Sequence, residues 1–119
     1  MKNLKLAIIA LLLPLAFTAC KKSDDKPFAI EGNWEGKLGT GFLGLNIKPG
    51  GTLERVSSNG EVSATGTWQF QENNFTGKYT FLSGTIVNIS GSVNKSSNSI
   101  SGTWKNSGNE QGTWNVSKK

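Results

Sequence analysis

The chain of 119 residues is long enough for one domain, and its single cysteine leaves no partner for a disulfide within the chain. It has no histidine, which removes the commonest general base, the commonest transition-metal ligand and the usual partner of a nucleophilic Ser or Cys, so neither a metal nor a cofactor is expected. The formal charge of +5 falls to +2 from Pro27 onward, where eight basic residues meet six acidic ones. No basic stripe runs along any segment, so a nucleic-acid partner is not expected either.

Met1 to Cys20 reads as an export signal. Lys2 and Lys5 form a positive n-region, and Leu6 to Phe17 form an apolar run of h-region length, too short to cross a bilayer, which takes roughly 20 residues. The tetrapeptide Phe17-Thr18-Ala19-Cys20 resembles the lipobox of bacterial lipoproteins, in which small residues precede a lipidated cysteine. That resemblance implies cleavage before Cys20, acylation of the new N-terminus and attachment to a membrane. Residues 1–19 are then the signal peptide, 20–27 the lipidated cysteine with a short tether, and 28–119 the folded domain. Lys21 follows the cysteine where inner-membrane lipoproteins carry Asp. Lys21-Lys22-Ser23-Asp24-Asp25 is similar to the charged tag of Gram-negative lipoproteins displayed on the cell surface. The expected location is therefore the outer membrane, facing outward; a plain solvated linker is the alternative.

Past Phe28 the pattern changes to alternation of period two, broken by turn residues every eight to twelve positions. It predicts eight strands, at about 30–38, 42–48, 52–56, 61–70, 75–81, 85–93, 99–105 and 111–117, and no helix. The breaks supply Gly, Asn, Ser or Pro, as at Gly39-Thr40-Gly41, Pro49-Gly50-Gly51 and Ser57-Ser58-Asn59-Gly60. One apolar face collects Ile30, Trp34 and Leu38, then Val62, Ala64, Trp68 and Phe70, then Phe75, Tyr79 and Phe81. Val87, Ile89, Val93, Ile100, Trp104, Trp114 and Val116 continue it. The other face is Ser, Thr, Asn, Glu and Lys. Short turns between successive strands predict an antiparallel up-and-down meander, and closure into an eight-stranded barrel removes its exposed edges. A sandwich would need longer crossovers.

A small motif, G-x-W, recurs at Gly32-Asn33-Trp34, Gly66-Thr67-Trp68, Gly102-Thr103-Trp104 and Gly112-Thr113-Trp114. Spacing of two puts each Gly and Trp on one face. Two readings stay open: indoles fill the holes that glycines leave in a solid core, or glycines hollow the barrel and indoles line a ligand cavity. The body resembles the calycin group, lipocalin-like and avidin-like barrels, in which an early G-x-W opens the first strand. The avidin-like comparison extends over residues 32–117 through Gly32-Asn33-Trp34, Leu38-Gly39, Phe75-Thr76-Gly77-Lys78-Tyr79, Trp104 and Trp114. It supports a barrel fold and argues against biotin. Gly36 stands where a ureido-binding polar residue would be, only Thr40 offers a nearby hydroxyl, and the late Asp is missing.

The expected function is that of a non-catalytic, lipid-anchored barrel binding a small apolar or aromatic ligand. Candidate contacts are Trp34, Trp68, Trp104 and Trp114, with Tyr79 and Arg55 as polar handles. Arg55 shares the phase of Leu53, which aims it at a barrel mouth, but the short third strand is expected to twist it into solvent. The alternative is a filled barrel that acts as a protein-interaction or inhibitory module through its outer surface, where Phe42 and Ile86 are apolar among polar neighbours. An enzyme is not expected, because every Glu from Glu31 to Glu110 reads outward or into a turn.

Overall fold

The structure, a computed structural model, describes residues 27–119; the signal peptide, Cys20 and all of the tether before Pro27 lie outside the described residues. Eight strands follow in order: β1 Gly32–Leu38, β2 Gly41–Lys48, β3 Thr52–Val56, β4 Val62–Gln71, β5 Asn74–Phe81, β6 Ile86–Asn94, β7 Ser99–Asn106 and β8 Gln111–Lys118. Each pairs antiparallel with the next, and β1 also pairs with β8, from Trp34 opposite Lys118 to Leu38 opposite Trp114. The result is a closed up-and-down barrel. Among the described residues every strand is paired on both sides, and the buried side chains form one core cluster. One 3-10 turn, Pro49–Gly51, makes the bend between β2 and β3.

The period-two faces sort as predicted. Leu43, Leu45 and Ile47 of β2 point inward with Leu53, Phe75, Tyr79, Ile89, Ile100, Trp114 and Val116, all at most 2% exposed. Outward positions are mostly Ser, Thr, Asn, Gln, Glu and Lys. This is the reverse of a membrane-spanning barrel, whose outer band is apolar.

Several inward glycines serve the wall of the barrel. A Cβ at Gly36, Gly66 or Gly102 would collide with the carbonyl oxygen of Asn115, Lys78 or Ser90 on the adjoining strand. These positions let neighbouring backbones approach where the sheet coils tightly, a role of strand glycines at barrel corners. Gly112 and Gly91 instead make room for rings: a Cβ there would lie 2.9 Å from the Trp104 indole nitrogen and 3.1 Å from Trp114 Cζ2.

Two face assignments need correction. Val62, assigned inward, is 50% exposed. A register shift between Arg55 and Val56 in the β3–β4 pairing puts it past the end of the regular ladder. Arg55, expected to twist into solvent, keeps the phase of Leu53 and is half-buried. Its cationic head lies 5.8 Å from the Tyr79 ring centre and 5.3 Å from that of Phe81.

Candidate functional site

The topology gives the barrel two unlike ends. The base carries the connections β2–β3, β4–β5 and β6–β7 and receives the chain from Pro27. Residues Pro27–Glu31 precede β1 and tuck beneath this end. The Phe28 ring lies 6.0 Å from Phe70 and 6.4 Å from Trp34, Ile30 is buried, and the Trp34 indole N–H donates to the Ile30 carbonyl at 2.9 Å. Lys118 completes the seal. Its Nζ donates to the Ala29 carbonyl at 2.6 Å and lies about 6 Å from both the Phe28 and Trp34 rings. Gly32, at φ 139°, leaves the space for it, since a Cβ would come within 2.8 Å of Lys118 Cε. Lys95 covers Phe28 and Phe70 from the other side.

In the barrel's middle the candidate ligand residues are core. Trp34, Tyr79 and Trp114 are at most 1% exposed, and Leu43, Leu45, Leu53, Phe75 and Ile89 fill the space among them. Trp114 donates to the carbonyls of Thr103 and Ser90 at 2.9 and 3.1 Å, and its ring meets Phe75 edge-on at 6.2 Å. Trp68 is half-buried, stacks on Phe75 at 6.3 Å and donates to the Lys48 carbonyl at 2.8 Å. Trp104, also half-buried, lies over Gly112 on the adjoining strand. Indoles thus occupy places that glycines leave. The four tryptophans are distributed along the barrel wall, each with its own neighbours.

The mouth carries the connections β1–β2, β3–β4, β5–β6 and β7–β8. Arg55, the chain's only arginine, points into it between Tyr79 and Phe81, which meet edge-on at 5.7 Å. Its Nη2 donates to the Phe42 carbonyl at 3.2 Å, and its Nε is buried without a partner. No carboxylate faces it among the described residues, whose ion pairs are Lys48–Glu54 and Lys119–Glu35. Among the described residues, the other buried side-chain donor lacking a partner is Trp104 Nε1, in the mouthward half of β7. Burial pushes the Tyr79 phenol above its ordinary range, and the nearby Arg55 charge offsets part of that rise.

The mouth also gathers the exposed large apolar side chains of the described residues: Phe42 at 38%, Val62 at 50% and Leu82 fully exposed. Each adjoins Arg55's surroundings. Phe42 gives Arg55 its acceptor, Val62 pairs with Val56, and Leu82 follows Phe81. Of these, only Phe42 stood out in the sequence as an apolar residue on the polar face. Phe81 was legible as inward, but nothing local to it reveals a cation 26 positions earlier.

The larger depressions lie outside the barrel wall. One of about 640 Å³ runs over β5–β8 among Thr76, Asn88, Ser90, Thr103, Lys105 and Gln111. Another of about 600 Å³ lies among Asn73, Ser92, Asn94, Lys95 and Ser101, and a third of about 440 Å³ runs over β1–β3, among Phe42, Asn46, Glu35 and Glu54. No three acidic, His or Cys side chains converge on a metal site among the described residues. No protein-family model matches the chain, and the search of curated proteins and that of solved structures return no match. Fold and site therefore rest on the chain's own geometry: an eight-stranded antiparallel barrel, compatible with a calycin-like fold, with a packed interior, a sealed base and a cationic mouth.

Proposed function

We propose that the chain is a lipid-anchored, non-catalytic binding module, a filled barrel that engages a protein partner through its outer surface and mouth. The observation that carries this reading is the packed interior, where Trp34, Phe75, Tyr79 and Trp114 are at most 1% exposed. A small ligand entering that space would have to displace close-packed side chains, each worth several kcal/mol of stability. The chemistry of the outward residues favours recognition over turnover, since their carboxylates sit in isolated ion pairs or in turns.

Anchoring follows from the lipobox-like Phe17-Thr18-Ala19-Cys20. Eight tether residues, 20–27, reach at most about 28 Å at ~3.5 Å each. Because the chain enters the barrel at its base, this end faces the membrane and the mouth faces outward. Cys20→Ser is expected to move the protein from the membrane to the soluble fraction. Protease added to intact cells is expected to cleave the domain; protection until the outer membrane is broken would refute surface display.

The binding mode is tested by tryptophan emission. Lipids, haem, flavins and glycans added in turn are expected to leave it unchanged, because the indoles already have their neighbours. A saturable shift or quench with any of these would establish an internal ligand and overturn the filled-barrel reading.

A further inference from the structure

From the unpaired guanidinium in the mouth, we infer that Arg55 is the receptor for a carboxylate side chain that a partner protein presents among apolar neighbours. This rests on the binding-module reading above and names the chemistry of the partner at one end of the barrel. A guanidinium withdrawn from water normally meets a carboxylate, to which its planar fork donates two parallel hydrogen bonds. Here it has a single acceptor, the Phe42 carbonyl, and its Nε is buried with none. No carboxylate of the described residues pairs with it, so the rest of its fork is left for a group from outside.

The two rings beside Arg55 fix its direction. Tyr79 and Phe81 lie against the cation and hold its side chain toward the barrel mouth. An aromatic face attracts a cation while leaving its in-plane donors free for an anion.

The surroundings specify what carries that anion. Phe42 near the start of β2, Val62 at the start of β4 and Leu82 just past the end of β5 are exposed at the same end of the barrel. A carrier that touches all three must span the opening, whereas the core below it is occupied by packed side chains. A peptide segment with an Asp or Glu between apolar residues has that reach; a small free carboxylate does not. The mouth is also the end opposite the point where the chain enters, so a membrane anchor at Cys20 leaves it accessible.

The single arginine makes the test direct, because its Nε–H gives one nitrogen-correlated NMR signal. The full chain, labelled with ¹⁵N, would be titrated with the capped peptide Leu-Val-Asp-Val-Leu, its Asp-to-Asn counterpart and octanoate. The Asp peptide is expected to shift the Arg55 Nε–H and the Leu82 backbone amide together, saturably, and at least tenfold more tightly than the Asn peptide. Arg55→Gln should abolish the effect. Leu82→Ser, at a fully exposed turn position, should weaken it severalfold while leaving the spectrum of the core in place. Loss of the folded spectrum in Arg55→Gln would transfer the test to Leu82→Ser and Arg55→Lys, the latter expected to bind more weakly than wild type.

No movement of Arg55 Nε–H with either peptide would overturn the proposal. So would octanoate binding as tightly as the Asp peptide without moving Leu82, which would mean that a free carboxylate suffices. Movement of the Trp34 or Trp114 indole signals would instead indict the filled barrel itself, so the two failures are distinguishable.

Discussion

At the base of the barrel, Lys95 and Lys118 lie over Phe28, Phe70 and Trp34, and the chain from Pro27 to Glu31 closes beneath them. At the mouth, Arg55 lies over Tyr79 and Phe81. Both ends thus use a cation against aromatic rings. They differ in how its hydrogen bonds are met. Lys118 keeps a flexible, partly solvated ammonium and a short bond to Ala29, so the base is a finished seal. Arg55 places a rigid fork among rings and finds one carbonyl, so the mouth is polar chemistry left incomplete. Electrostatically similar groups serve fold closure at one end and, in the proposal above, recognition at the other.

The contrast predicts unequal sensitivity to mutation. The largest effect is expected at the base from Trp34→Ala, which removes a fully buried indole, its bond to Ile30 and its contact with Phe28. A loss of about 3–5 kcal/mol is expected in urea unfolding, and a loss under about 1 kcal/mol would show that the base is not the packed end. Lys118→Met keeps the apolar stem but removes the charge and the bond to Ala29, and should cost about 1 kcal/mol. Arg55→Met should cost less than Lys118→Met or raise stability, because a guanidinium without a carboxylate gains little from burial. Equal or greater destabilisation by Arg55→Met would make the mouth a structural seal like the base.

The smallest expected effect is alkaline. The Tyr79 phenol is raised mainly by burial, so the native state keeps its proton where the unfolded chain has released it. Stability from this group is therefore fully present below the ordinary phenol value of about 10 and declines as pH rises from there toward the raised folded value. Tyr79→Phe should flatten that decline, seen as a smaller drop in Tm between neutral and strongly alkaline buffer. An identical drop in both proteins would place the Tyr79 hydroxyl in water.

Much of the architecture was readable because its causes are local. Alternation of period two along Phe75–Phe81 or Val87–Val93 states which face meets the core, and turn residues mark where each strand stops. What could not be read depends on contacts between distant positions. Phe28 and Ile30 lie before the regular pairing begins; alternation marks Ile30 as inward, but it does not show that the two close the base beneath Trp34. Val62 carries the right phase for the core, and only the irregularity opposite Arg55 and Val56 exposes it. The glycines of the G-x-W motifs look alike in sequence, yet Gly66 admits the backbone of β5, Gly112 an indole and Gly32 a lysine. The inward aim of Arg55 was open to two readings, and the rings that decide between them come 24 and 26 residues later. The surroundings of Arg55 emerge only when the mouthward ends of β2, β3 and β5 are brought together.

Hydrogen exchange of the indole N–H groups compares the two ends most directly. Trp34 at the base and Trp114 in the core donate to backbone carbonyls and are fully buried. They should exchange only when the whole barrel unfolds, with the same free energy as global unfolding. Trp104, near the mouth and without an acceptor, should exchange faster through local opening. If Trp34 exchanges as fast as Trp104, the base is not sealed, and the division of the barrel into a closed end and a receptive end is wrong.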